Sequence, residues 1–120
     1  MTRPLVIKLT SGSDNLELCS QAFTVASSAV ALGSEVSMWL TGNAVYFAIP
    51  GVAEGFDLDL AAPLAELRDA VMAGGALTVC TQCIARRDID IDHLINGVRI
   101  AGATTFVEEA LGQHAQALIY

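Results

Sequence analysis

Hydrophobic and polar positions follow two rhythms along the chain. Leu5-Val6-Ile7-Lys8-Leu9 is a short apolar run ending in Thr10-Ser11-Gly12-Ser13, the pattern of a buried parallel strand feeding a turn. The period then lengthens. Apolar residues recur at Leu16, Cys19, Phe23, Ala26 and Val30, and a second stripe runs through Leu18, Ala22, Val25, Ala29 and Leu32. Such a helix is expected to be covered on two sides, by the sheet and by another subunit. Asp14 with Glu17 predicts an N-cap box, and Gly33 a C′ stop.

Glu35 to Leu40 predicts a second strand, ending at Thr41-Gly42-Asn43. Asn43 to Ile49 reads as a short helix stopped by Pro50-Gly51, and 52–59 as a mobile acidic surface loop. Pro63 opens a helix with an apolar stripe at Leu64, Leu67 and Val71, closed by Gly74-Gly75. Ala76 to Cys80 is a third strand, followed by a helical turn or two after Cys83. Val98 to Ile100 is a fourth strand. Phe106 to Leu111 is a helix with Glu108 and Glu109 outward, and Ala117 to Tyr120 is a last strand. Strands alternating with helices predict an α/β fold with a mostly parallel sheet of about five strands between helical layers. The pattern leaves strand order open.

Composition sharpens this picture. The 120 residues fit one domain, 1–120. Hydrophobic residues make up 53%, above the ~45–50% of typical domains. The surplus excludes disorder and predicts buried subunit interfaces, hence a homo-oligomer. A net charge of −7 argues against a nucleic-acid partner. No run approaches the ~18–20 apolar residues of a membrane span, and Leu5 to Ile7 is too short for a secretory h-region. A cytoplasmic location is therefore expected, where Cys19, Cys80 and Cys83 stay reduced.

The chemistry concentrates at Cys80-Thr81-Gln82-Cys83, where a strand ends and a helix begins, with Arg86 and Arg87 close behind. Sites of open α/β sheets gather at the carboxyl ends of strands. A helix N-terminus and nearby cations favour thiolate, the nucleophile of disulfide exchange and persulfide transfer. Helix-dipole reasoning alone favours Cys83. Free cysteines are also often plain buried hydrophobes, the simplest reading for Cys19. Ser11, Gly12 and Ser13, if the first and third strands are neighbours, would line the thiol pocket together with Thr41, Gly42 and Asn43. Asp14 is better suited to capping than to nucleotide binding, and a P-loop spacing is absent. Asp88, Asp90, Asp92 and His93 fail the EF-hand pattern and read as a solvated acidic edge with Ile89 and Ile91 turned inward. No metal and no cofactor are expected. A thioredoxin reading is weakened because Pro4, Pro50 and Pro63 all precede Cys80.

These pieces together resemble the DsrE/DsrF-like sulfur-relay family, in particular its small homo-oligomeric branch with a C-x-x-C. The residues that carry the resemblance are Cys80-Thr-Gln-Cys83, Arg87, Leu94-Ile95-Asn96-Gly97-Val98 and the closing Ala117-Leu118-Ile119-Tyr120, with the first strand and Thr41 to Val45. The resemblance implies a three-layer, flavodoxin-like subunit that assembles as a trimer or hexamer. It implies that Cys80, followed six and seven residues later by Arg86 and Arg87, accepts sulfane sulfur as a persulfide, with Cys83 as second thiol. It also implies a sulfurtransferase-like carrier with sulfur donor or acceptor proteins as partners. Asp88 departs from the family, which usually has Gly there. Two other functions compete: a non-catalytic oligomeric binding module whose thiols merely pack, and a dithiol redox protein using Cys80 and Cys83.

Overall fold

The computed structural model describes residues 3–120. Five strands, β1 (Pro4–Leu9), β2 (Glu35–Leu40), β3 (Ala76–Cys80), β4 (Arg99–Ala101) and β5 (Gln116–Ile119), form one sheet. Its order is β4-β3-β2-β1-β5, and every pairing is parallel. Four α-helices, α1 (Leu16–Ala31), α2 (Leu64–Gly74), α3 (Thr81–Arg86) and α4 (Ala103–Ala110), and a 3₁₀ segment Gly42–Ala48 connect them. The sheet steps in one direction from β1 to β4. Then α4 leads back across its opposite face to the far edge at β5. Right-handed crossovers require this change of face when the direction of stepping reverses.

Alternation along the strands assigns the two faces. Ile7, Leu9, Met38, Leu40, Leu77 and Val79 point into the main core with Cys19, Ala22, Phe23 and Ala26 of α1 and Leu64 and Val71 of α2. Burying such side chains contributes roughly 1.5–3 kcal/mol each. The other face carries Lys8, Ser37, Trp39 and Thr78 beneath α4. Phe106 stacks edge-on against Trp39 at 5.6 Å.

The first helix starts differently from expectation. Asn15, not Asp14, is the N-cap, its side chain accepting from the Leu18 N–H. The Asp14 carboxylate instead accepts from the Gly12 N–H at 2.9 Å, closing a turn one residue too early to cap. At the other end Gly33 has φ +84°, and Ser34 N–H to Ala29 and Gly33 N–H to Val30 complete the Schellman pattern. Within the chain α1 packs against α2. A Cβ at Gly74 would collide with Val30 Cγ1, so the two helices touch closely there. This contact at Val30 belongs to the first stripe; Ala29 and Leu32 of the second stripe line an open hollow with Leu5 and Gln116.

The loop 52–59 is anchored, not a mobile surface segment. Ala53 is buried, Phe56 packs edge-on against Phe47, and Glu54 pairs with the buried Arg68 at 3.0 Å. Two further expectations fail on side-chain direction. Ile91 is 57% exposed. Glu109 turns inward, accepting from Trp39 Nε1 at 2.9 Å and from Ser37 and Arg99.

Candidate functional site

The carboxyl ends of β1, β2 and β3 meet in a set of interlocked loops. Gly42 (φ +54°) sits where a Cβ would lie 2.6 Å from the Thr10 carbonyl, so the loops after β1 and β2 can approach only because no side chain intervenes. Its N–H donates to Cys83 Sγ at 3.2 Å. Arg87 ties the third loop to the second. Its Nε and Nη2 donate to Asn43 Oδ1 at 3.0 and 2.9 Å, and Nη1 donates to the Cys83 carbonyl at 3.1 Å. Asn43 Nδ2 reaches Asp14 Oδ1 at 3.4 Å, linking the first loop.

Helix α3 begins at Thr81, two residues before Cys83, which makes Cys80 its N-cap residue. The helix-terminus argument that favoured Cys83 therefore applies to Cys80. Cys80 is half-buried, while Cys83 is 9% exposed and belongs to the core. All three cysteines are free thiols. Burial works against the Cys80 anion but is outweighed. The neighbouring Cys83 thiol, the N–H groups of Cys83 and Gln82, and the charge of Lys8 hold this thiol below the ordinary cysteine range. Cys83 moves the other way. Burial pushes it up, and the Cys80 sulfur adds to that, against the Gly42 N–H and the charge of Arg87. Deprotonation of the pair thus begins at the more exposed sulfur.

Cys80 opens on a cleft of about 230 Å³ lined by Lys8, Trp39, Thr41, Ala103, Phe106 and Val107. This is a mostly apolar hollow with one cation and one hydroxyl. A larger hollow of about 780 Å³ lies between α1 and residues 58–62 and contains no cysteine. Of the residues expected to surround the thiols, Thr41 lines the cleft, Gly42 touches Cys83 and Asn43 holds Arg87. Ser11, Gly12 and Ser13 do not line it, because the loop after β1 leads into α1 on the main-core face, whereas the cleft lies on the face beneath α4. The Ser11 and Gly12 carbonyls instead accept from the Cys19 thiol at 3.1 Å each. Burial pushes that thiol up to about 11. Arg86 is exposed and forms no ion pair among the described residues. Asp88 has φ +54°, a left-handed conformation that glycine adopts without strain and aspartate tolerates. Lys8 was missed by sequence reading. The available signal was a charged residue inside an otherwise apolar strand.

A model of the DsrE/DsrF-like family matches residues 5–118. The chain belongs to this family. No curated protein matches it. The ychN protein from E. coli is similar in structure, with a TM-score of 0.79 at 15% identity over 100% of both chains. A protein of unknown function from Methanobacterium thermoautotrophicum has a TM-score of 0.69 at 10% identity, again over 100% of each chain. Another from Bacteroides thetaiotaomicron has 0.66 at 13% identity, over 98% of this chain and 95% of that one. These likenesses establish the DsrE-like fold, an α/β subunit with a five-stranded parallel sheet. Membership in the DsrE/DsrF-like family connects the chain to sulfur relay in general terms. No helix among the described residues is long and apolar enough to cross a membrane.

Proposed function

We propose that this chain is a sulfur-relay subunit that carries sulfane sulfur as a persulfide on Cys80, with Cys83 as the second thiol. One observation carries the reading: of two adjacent thiols at the end of β3, the one that opens on a cleft is the one whose anion is favoured. A thiolate is the nucleophile of sulfur transfer. It would attack the outer sulfur of a donor persulfide. The donor's S–S bond breaks, its thiolate leaves with the bonding pair, and the outer sulfur stays on Cys80. An acceptor thiolate reverses the exchange. Arg87 sets a positive field beside Cys83 and fixes the loop, while the exposed Arg86 is placed to meet an anionic partner. The family, the apolar surplus and exposed Val107, Leu111 and Ile119 support a homo-oligomer, trimer or hexamer, working in the cytoplasm with protein donors and acceptors.

The test is sulfur uptake by intact mass after incubation with a persulfide donor. Wild type gains the mass of one sulfur and Cys80→Ser loses the gain. Undiminished uptake by Cys80→Ser would defeat the assignment. A dithiol reading is favoured by a separate observation, the contact between the two thiols. Attack of Cys83 on Cys80 persulfide would expel sulfide with the bonding pair and leave a Cys80–Cys83 disulfide. A two-proton mass loss confined to the peptide containing both cysteines distinguishes that state.

A further inference from the structure

Lys8 breaks the pattern of its strand. β1 is flanked by β2 and β5, and every other residue from Leu5 to Leu9 is apolar. The alternation sends Lys8 away from Ile7 and Leu9, onto the face beneath α4. There it is half-buried, with Nζ 5.1 Å from the centre of the Phe106 ring. Lys8, Phe106 and Cys80 line the same cleft. No carboxylate pairs with Lys8 among the described residues, where the ion pairs are Arg68 with Glu54 and Asp69, and Arg99 with Glu109. Withdrawing a cation from water costs free energy that the aromatic face repays in part. A neighbouring anion would repay more.

We propose that Lys8 is a positioning residue of the Cys80 site, its ammonium holding the sulfur anion: the thiolate before transfer and the terminal persulfide sulfur after it. This rests on the sulfur-carrier reading above and assigns its cation to the floor of the sheet. The arginines at the end of α3 are differently engaged, Arg87 with Asn43 and the Cys83 carbonyl and Arg86 with solvent. The other titratable groups on this side are the Cys83 thiol from α3 and the Glu109–Arg99 pair from α4 and β4, whose charges cancel. The charge of Lys8 is among the causes that lower the Cys80 thiol against the opposing effect of burial.

Iodoacetamide alkylation of Cys80, followed by peptide mass as a function of pH, tests this. Lys8→Met fits an apolar strand and is expected to fold. It should move the midpoint of the rate–pH curve upward and slow alkylation several-fold at neutral pH. Lys8→Arg should restore most of the rate, and Arg86→Met and Arg87→Met should move the midpoint less than Lys8→Met does. Coincident midpoints for wild type and Lys8→Met, or a larger shift from either arginine variant, would overturn the proposal. Sulfur uptake is measured separately on the same proteins. A wild type that gains no sulfur sinks the carrier reading, whereas the alkylation midpoints decide the Lys8 assignment independently.

Discussion

At the scale of single residues, the three cysteines show how environment divides one chemistry. Cys19 is fully buried, its thiol donating to two carbonyls, and its anion is disfavoured by burial first and by Asp14 second. A thiol raised in the folded state from 9.0 to about 11 favours folding below the unfolded value. It loses that contribution as pH rises toward the folded one. Wild type should therefore lose about 2 kcal/mol more stability between about pH 8 and pH 11 than Cys19→Ala does. Urea unfolding at the two pH values measures it, and equal losses would count against the assignment. Cys80 has the opposite sign: its lowered thiol favours folding above the unfolded value and loses that advantage as pH falls through the folded one. The position of two thiols where β3 ends was legible in the sequence, but which of them caps α3 was not, because the helix begins at Thr81 and not at Cys83. The place of Lys8 beneath α4 was not legible either, because period-2 alternation shows which face a strand residue takes but not which element lies over that face.

At the scale of elements, boundaries were legible wherever a backbone requirement marked them. Gly33 at φ +84° ends α1, and Pro63 is the N-cap of α2. The start of α1 was misread because Asp14 and Asn15 are both good caps and only the turn geometry chooses between them. The direction of Glu109 on α4 was misread for a related reason. Its consecutive Glu108 and Glu109 look equally solvated, yet Glu109 faces three donors on the sheet and Glu108 is exposed. α4 has no fully buried residue, so this carboxylate and the Phe106 ring do much to hold it. Glu109→Ala should destabilise the protein by about 1–3 kcal/mol, with Trp39 fluorescence shifting to the red as its indole meets water. A Trp39 spectrum and urea midpoint both unchanged would refute this anchoring. Desolvation opposes the Glu109 anion, but Ser37, Trp39 and Arg99 prevail and hold the carboxyl below its ordinary 4.5. Its contribution is therefore present above that value and fades as pH falls through the lower folded one.

At the scale of the whole molecule, fold class followed from alternating strands and helices, whereas strand order depends on long-range pairing that local pattern does not encode. The division into two faces explains why the loop after β1 lies outside the thiol cleft although Lys8 of the same strand lines it: the loop leads into α1 on the main-core face, and the cleft lies beneath α4. It also explains where the apolar surplus goes. The main-core side is covered by α1 and α2, but the opposite side has only the eight-residue α4. Ile119 pairs in parallel register with Lys8 and so faces this less covered side. It is 65% exposed, near α4 with Leu111 at 80% and Val107 at 47%. Exposed apolar residues gathered on one side favour association over solvation, and a second copy of the chain is the occupant consistent with the proposed homo-oligomer. Light scattering at micromolar concentration should give three or six times the 12.6 kDa chain mass. Combined Val107→Glu and Leu111→Glu should shift the population toward monomer, since two carboxylates per chain would have to be buried unpaired. A wild-type monomer would refute the assembly, and an unchanged mass for the double variant would move the interface elsewhere. Because Val107 lines the Cys80 cleft, assembly through this face would place the partner copy at the mouth of the thiol site. The same double variant should therefore change Cys80 alkylation as well as mass, whereas an interface remote from α4 would leave the two readouts uncoupled.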